Sequence, residues 1–219
     1  MKLFVADDHY QAFPGRNQYE CIRDSYSDMV FCENDWSVFT KYDLANECDL
    51  LILNMIADTC GIPVPDEDAC NAVKRYLETG KNLLLLHGGS SAFWHCDWYR
   101  KLVGIRWVRN NDPDNVPSSF HPKEKYCVKV SKVRHELADK LVEMDFQIED
   151  EIYCSLEQVT PIVTLMETTI SLGTSPQCTE SFTPWGGKVI NFLPGHRPEV
   201  TRDPQLIANL KLLIDYLDK

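Results

Sequence analysis

The chain has 219 residues, 44% hydrophobic and 25% charged, with 22 basic and 33 acidic residues and a formal charge of −11. That length and balance fit one α/β domain over residues 1–219 with a core of its own, and exclude a disordered, collagen-like or low-complexity chain. The acidic charge, with no long Lys/Arg run, argues against nucleic acid and against an anionic membrane surface as partners.

In chain order, Leu3 to Ala6 reads as a first buried strand that ends at Asp7-Asp8-His9. Residues 10–46 carry few signals: a turn at Phe13-Pro14-Gly15, a helix within Tyr19 to Met29, and an extended stretch from Phe31 to Phe39. Leu50 to Asn54 is a second strand. Asp66 is an N-cap candidate for a helix running to about Thr79, with Ala69, Val73, Tyr76 and Leu77 on one face and Gly80 at its end. Leu83 to Leu86 follows as a strand covered on both faces, which completes a β-α-β unit and implies a parallel sheet.

Beyond it, Gly88-Gly89-Ser90-Ser91 leads into an aromatic helix expected over Ala92 to Val103, ended by Gly104. Residues 109–125 read as a long loop. Tyr126 to Val130, Ile162 to Glu167 and Lys188 to Leu193 read as strands, His135 to Val142 as a short helix, and Pro204 to Leu217 as a closing amphipathic helix.

The nine cysteines show no C-x-x-C spacing. They are expected as free thiols in a reducing, cytoplasmic setting. No 18-residue apolar run exists, and the N-terminal apolar stretch is too short for a secretory signal core.

Open parallel sheets bind ligands at the carboxyl ends of their strands. Those ends carry Asp7-Asp8-His9, Asn54, His87-Gly88-Gly89-Ser90 and Pro194-Gly195-His196. The glycine turn after His87 lets backbone amides approach a ligand at a helix start. Gly88-x-Ser90-x-Ala92 approximates a nucleophile elbow and offers Ser90 as a nucleophile, with His196 as base and Asp150 or Glu199 as orienter. Asp150-Glu151-x-Tyr153 offers a base, a metal ligand or a sugar contact. Trp185, Trp94 and Trp98 offer flat apolar faces, although Trp94 and Trp98, four apart, also suit core packing.

Five segments in order, His87-Gly88-Gly89, Trp94-x-x-x-Trp98-Tyr99-x-x-Leu102-Val103-Gly104, Asp150-Glu151-x-Tyr153, Pro184-Trp185-x-Gly187-Lys188-Val189 and Gly195-His196, resemble the ThuA-like, trehalose-utilisation proteins of the class I glutamine-amidotransferase-like superfamily. The resemblance runs from about residue 49 to the C-terminus. It implies a flavodoxin-like three-layer α/β/α fold with a mainly parallel sheet. It also implies an altered triad site, in which His87 falls where amidotransferases carry Cys and His196 falls near their catalytic His. The expected catalytic residues are His87, His196 and Glu151, with Gly88, Gly89, Ser90, Tyr153, Trp185 and His9 as substrate contacts. The same three catalytic residues are the candidate ligands of a divalent metal, zinc or manganese. The expected ligand is a saccharide or modified sugar, handled without glutamine amidotransferase activity, and a homo-oligomer is compatible with the sequence. The competing readings are the Ser90-His196-Asp150 hydrolase and a non-catalytic sugar-binding or regulatory protein. After Gly104 the chain departs from the family pattern. His121 stands as an open candidate for the family histidine missing there, and His135 for the family's histidine before the short helix, where it also suits a helix cap.

Overall fold

The computed structural model describes residues 1–59 and 61–219. Its elements run β1 (Lys2–Ala6), α1 (Pro14–Ile22), β2 (Met29–Glu33), α2 (Val38–Lys41), α3 (Leu44–Glu47), β3 (Leu50–Asn54), α4 (Glu67–Glu78) and β4 (Asn82–Leu86). They continue with α5 (Asp97–Arg100), β5 (Ile105–Arg106), β6 (Lys123–Val130), β7 (Met144–Glu151), β8 (Glu157–Gln158), β9 (Val163–Ile170), β10 (Gly173–Phe182), β11 (Lys188–Phe192), α6 (Pro198–Thr201) and α7 (Pro204–Leu217).

The main sheet has nine strands in the order β2-β1-β3-β4-β11-β10-β9-β6-β7. Strands β2, β1, β3, β4 and β11 are parallel, as expected for the four of them legible in the sequence. The other four extend the sheet antiparallel beyond β11. The small pair β5–β8 stands apart.

Alternation along the central strands explains the layers. Phe4, Ile52, Leu84, Leu86 and Ile190 face one core with Leu206, Leu210, Leu213 and Ile214 of α7. Their neighbours Leu3, Val5, Leu51, Leu53, Leu83 and Leu85 face the other core with Ala69, Val73, Tyr76 and Leu77 of α4. Successive strand residues point to opposite faces, so a run of Leu is what a sheet with helices on both sides needs. This is the flavodoxin-like α/β architecture. Asp66 caps α4 by accepting from the Ala69 amide at 2.9 Å, and Asp203 caps α7 by accepting from Gln205 and Leu206 at 2.9 and 3.1 Å.

Three expected elements differ. The aromatic helix over 92–103 is a 3-10 turn at His87–Ser91, further turns, and only the four-residue α5. Phe93 and Tyr99 are drawn into the core, where Tyr99 Oη donates to the Gly89 carbonyl at 2.6 Å, and this packing overrides regular helix. Residues 136–140 form turns: the His135 Nδ1 accepts from the Leu137 amide at 3.2 Å, as a helix cap does, but no regular helix follows. In the first 46 residues the helix starts earlier than expected, at Pro14, and the extended part is Met29–Glu33. Eight cysteines are free thiols. Cys60, included in the all-thiol expectation, lies outside the described residues. No helix among the described residues is long and apolar enough to cross a membrane.

Candidate active site

The site lies at the carboxyl edge of the parallel strands, where β1, β4 and β11 deliver His9, His87 and His196. After β1, Asp7 is fully buried, and its Oδ2 accepts from the amides of Ile56 and Ala57 at 2.7 and 2.9 Å. Its Oδ1 pairs with His9 Nδ1. Burial pulls the His9 pKa down, but the Asp7 carboxylate beside it outweighs that and leaves it raised. Burial likewise pushes Asp7 up, and the His9 charge with the two amides leaves it lowered. Both shifts favour the ion pair, imidazolium with carboxylate, over the neutral pair.

His87 occupies the left-handed region, φ 47°, at the sharp turn where β4 gives way to the 3-10 turn. Such backbone is costly for a non-glycine residue and marks a turn fixed by its surroundings. Its Nδ1–H donates to the Leu193 carbonyl at 3.1 Å, which leaves the Nε2 lone pair facing inward. Tyr153 Oη donates to that nitrogen at 2.9 Å, and burial keeps the phenol protonated by raising its pKa well above the ordinary value. His196 Nδ1 stands 3.2 Å from the same nitrogen. Burial first, and then the neighbouring His9, drive the His87 pKa far down, so it is a neutral imidazole.

His196 is placed by β7. Asp150 Oδ2 and Oδ1 accept from the amides of His196 and Arg197 at 2.8 and 3.0 Å. Burial pushes the Asp150 pKa up to about 6 against those hydrogen bonds. Burial lowers His196 to about 4, against the pull of Glu151, so it too is neutral at pH 7. Glu151 Oε2 lies 3.7 Å from both His87 Nε2 and His196 Nδ1. Its Oε1 faces His121 Nδ1 at 3.5 Å and Lys123 Nζ at 3.4 Å.

These groups border a cavity of about 890 Å³ whose walls include His9, Trp107, Lys123, Glu151, Tyr153 and His196. The loop that follows β5 forms one wall. Arg106, buried, holds it through Asp112 and through Glu157 at 2.6 Å, while Arg100 binds Asp114 at 2.7 Å.

The expected residues therefore divide. His87, His196, Glu151, Tyr153 and His9 come together. Gly88, Gly89 and Ser90 do not contact the cavity. A Cβ on Gly88 would overlap Ile56 Cγ2 and come within 2.7 Å of His9 Nε2, and one on Gly89 would overlap the Leu53 carbonyl. Both glycines serve packing, leaving the turn no room for a ligand. Ser90 Oγ accepts from the Trp107 amide at 3.0 Å, seventeen residues on, and neither caps its own turn nor meets a histidine. Because Asp150 is held by amides and Ser90 by Trp107, the Ser90-His196-Asp150 triad is not assembled. Trp185 sits in the β10–β11 turn against the Gly80 backbone, at the opposite end of β11 from His196. Strand direction therefore places it apart from the His9–His196 cavity. Of the two open candidates, His121 meets Glu151, whereas His135 binds Glu180 at 3.0 Å away from the site. Trp98 packs on Phe93 and Tyr99, and Trp94 lies under the Arg109 guanidinium. Asp7 is a strand-end residue in the sequence but carries no role of its own there, and Lys123 and Trp107 carry no local signal. Asp7 had a signal, since it stands two residues before a strand-end histidine.

No curated protein matches the chain. Among solved structures, a ThuA-like protein from Parabacteroides merdae superposes with a TM-score of 0.75 at 13% identity, covering 100% of this chain and 90% of that one. A ThuA-like protein from Bacteroides uniformis gives 0.69 at 15% identity, covering 99% and 91%. A cytoplasmic protein from Salmonella typhimurium LT2 gives 0.67 at 13% identity, with full coverage of both chains. At these identities the likeness concerns the fold. The sequence pattern of the ThuA family, described as trehalose utilisation, matches residues 15–215, and the chain belongs to that family.

Proposed function

We propose that the chain binds a sugar or modified sugar in the His9–His196 cavity and converts it by proton transfer, as an isomerase or hydrolase without glutamine amidotransferase activity. Family membership points to carbohydrate utilisation. The observation that carries the finer reading is a pair of imidazoles lining one cavity whose surroundings push them in opposite directions, His9 raised by the Asp7 carboxylate beside it and His196 lowered by burial. Groups whose environments split their pKa values are an acid and a base. His196, neutral and facing the cavity, accepts the substrate proton. His9, an imidazolium, donates one or stabilises a developing oxyanion. Glu151 orients His196, and His87, fully buried, is a positioning residue that acts through His196. Trp107 and Tyr153, with ring centroids 4.5 Å apart and planes tilted by 53°, offer aromatic surface to a pyranose. Position 87 lacks the thiol that amidotransfer requires.

The donor set also fits a divalent ion such as zinc or manganese. His87 Nε2, His196 Nδ1 and a Glu151 oxygen lie within 4.8 Å of one another. Both imidazoles are neutral, as ligation requires. When bound, such an ion would polarise a carbonyl or hydroxyl oxygen of the ligand. Calorimetry with a panel of mono-, di- and keto-sugars, with and without the ion, tests the reading. His196→Ala and Glu151→Gln should lose binding or turnover while remaining folded. Full binding in both variants would sink it.

A further inference from the structure

Outside this cavity, a second cluster of ligating side chains lies between α4 and the segment that leaves the His87 turn. Cys70 sits in the first turn of α4, and His95 and Cys96 immediately precede α5. Cys70 Sγ lies 2.9 Å from Cys96 Sγ and 3.2 Å from His95 Nε2, and all three ligand atoms fall within 4.8 Å of one another. Cys70 is buried, while His95 and Cys96 are partly open to solvent. That gives an ion a route in.

We propose that Cys70, His95 and Cys96 form a metal site for a single thiophilic cation, Zn²⁺ by its chemistry, separate from the histidine cavity. Two thiolates and an imidazole are a borderline-soft donor set that suits Zn²⁺, and three protein ligands leave a fourth position for water or an added ligand. Two thiolates on a tetrahedral zinc stand about 3.8 Å apart, with zinc–sulfur bonds of about 2.3 Å. The present 2.9 Å separation must therefore open by about 0.9 Å, within the reach of side-chain rotation at the partly exposed Cys96. The alternative fate of two such sulfurs is a disulfide of about 2.05 Å. His95 decides between them, since a third nitrogen donor at 3.2 Å has no part in a disulfide and completes a metal set. Binding releases the two thiol protons. It would pin the start of α4 to the turns that carry Tyr99, whose hydroxyl holds the Gly89 carbonyl at 2.6 Å.

Cobalt spectroscopy separates this site from the histidine cavity, because only cysteine ligation gives a near-ultraviolet thiolate-to-cobalt charge-transfer band. The full chain, reduced and stripped by a chelator, is titrated with Co²⁺ and then Zn²⁺. Equimolar Co²⁺ should produce the band and Zn²⁺ should bleach it. Cys70→Ser and Cys96→Ser should abolish it, His95→Ala should weaken Co²⁺ binding roughly tenfold or more, and His87→Ala should leave it intact. The wild-type measurement needs no variant, so a folding defect cannot mask the answer. No band in the reduced wild-type chain overturns the proposal, as does a band that survives Cys70→Ser. So does a Cys70–Cys96 disulfide formed with oxidised glutathione in a chain that never shows the band.

Discussion

Replacing Asp7 by Asn tests the electrostatic basis of the site. The carboxylate is fully buried and so is the His9 ring, so the pair is shielded from solvent. An amide can still accept from the Ile56 and Ala57 amides but cannot hold the imidazolium. Removing one partner of a buried ion pair costs about 3–5 kcal/mol. In a chain of this length each kcal/mol moves Tm by about 2–4 °C, so the expected drop is about 6–20 °C. The drop depends on pH. The folded pKa of His9 is raised above its ordinary 6.5, so its contribution is complete below 6.5 and is lost as pH rises through the folded value. The folded pKa of Asp7 is lowered below 3.8, so its contribution is present above 3.8 and is lost as pH falls through the folded value. The Asp7→Asn penalty should therefore be largest between about pH 4 and 6.5 and shrink in alkaline solution. Calorimetric melts of both proteins across that range, with histidine-resolved NMR of the His9 ring, measure both quantities. A penalty that does not shrink with rising pH, or a neutral His9 ring at pH 6.5 in the parent chain, would refute the reasoning.

Other expectations follow from the same geometry. Gly88→Ala should destabilise by about 1–3 kcal/mol in melts and shift the His9 resonances, since its new Cβ overlaps Ile56 and crowds His9 Nε2. Ser90→Ala should cost about 1–3 kcal/mol by leaving the Trp107 amide unpaired, yet retain ligand binding and resist fluorophosphonate labelling as the parent does; loss of all binding would revive the serine reading. Once a converted sugar is found, its rate should fall on the acid side as His196 protonates near pH 4 and on the alkaline side as His9 deprotonates above 6.5. An alkaline limb that persists in Asp7→Asn would contradict the assignment of His9.

Much of this was legible in the residues. The Leu run of β4 and the helical periodicity of α4 and α7 are strong patterns, and their caps fall at Asp66 and Asp203. His87, His196 and Glu151 could be grouped because two of them end strands of one parallel sheet. The antiparallel extension was harder. β7 does alternate, Met144-Asp145-Phe146-Gln147-Ile148, but its acidic end reads equally well as a solvated turn. β10 carries Pro176 at a register shift, a residue that argues against a strand interior. The false helix over 92–103 shows the reverse case, where aromatic spacing that suits a helix is satisfied by irregular chain drawn into the core. No local pattern could reveal that His196 is neutral, because burial by residues distant in sequence sets its state, whereas His9 takes its shift from Asp7 two residues before it.

The position of β11 has a bearing on how the protein is made. This strand joins β4 on one side and β10 on the other, so it is the seam between a four-strand parallel half and a four-strand antiparallel half. It is also the last of the sheet's nine strands in chain order. Until it leaves the ribosome, β4 and β10 each present an open edge of unpaired amides and carbonyls, the surface through which nascent chains associate wrongly. His196 follows that strand by four residues, so the candidate site is assembled only once the sheet has closed.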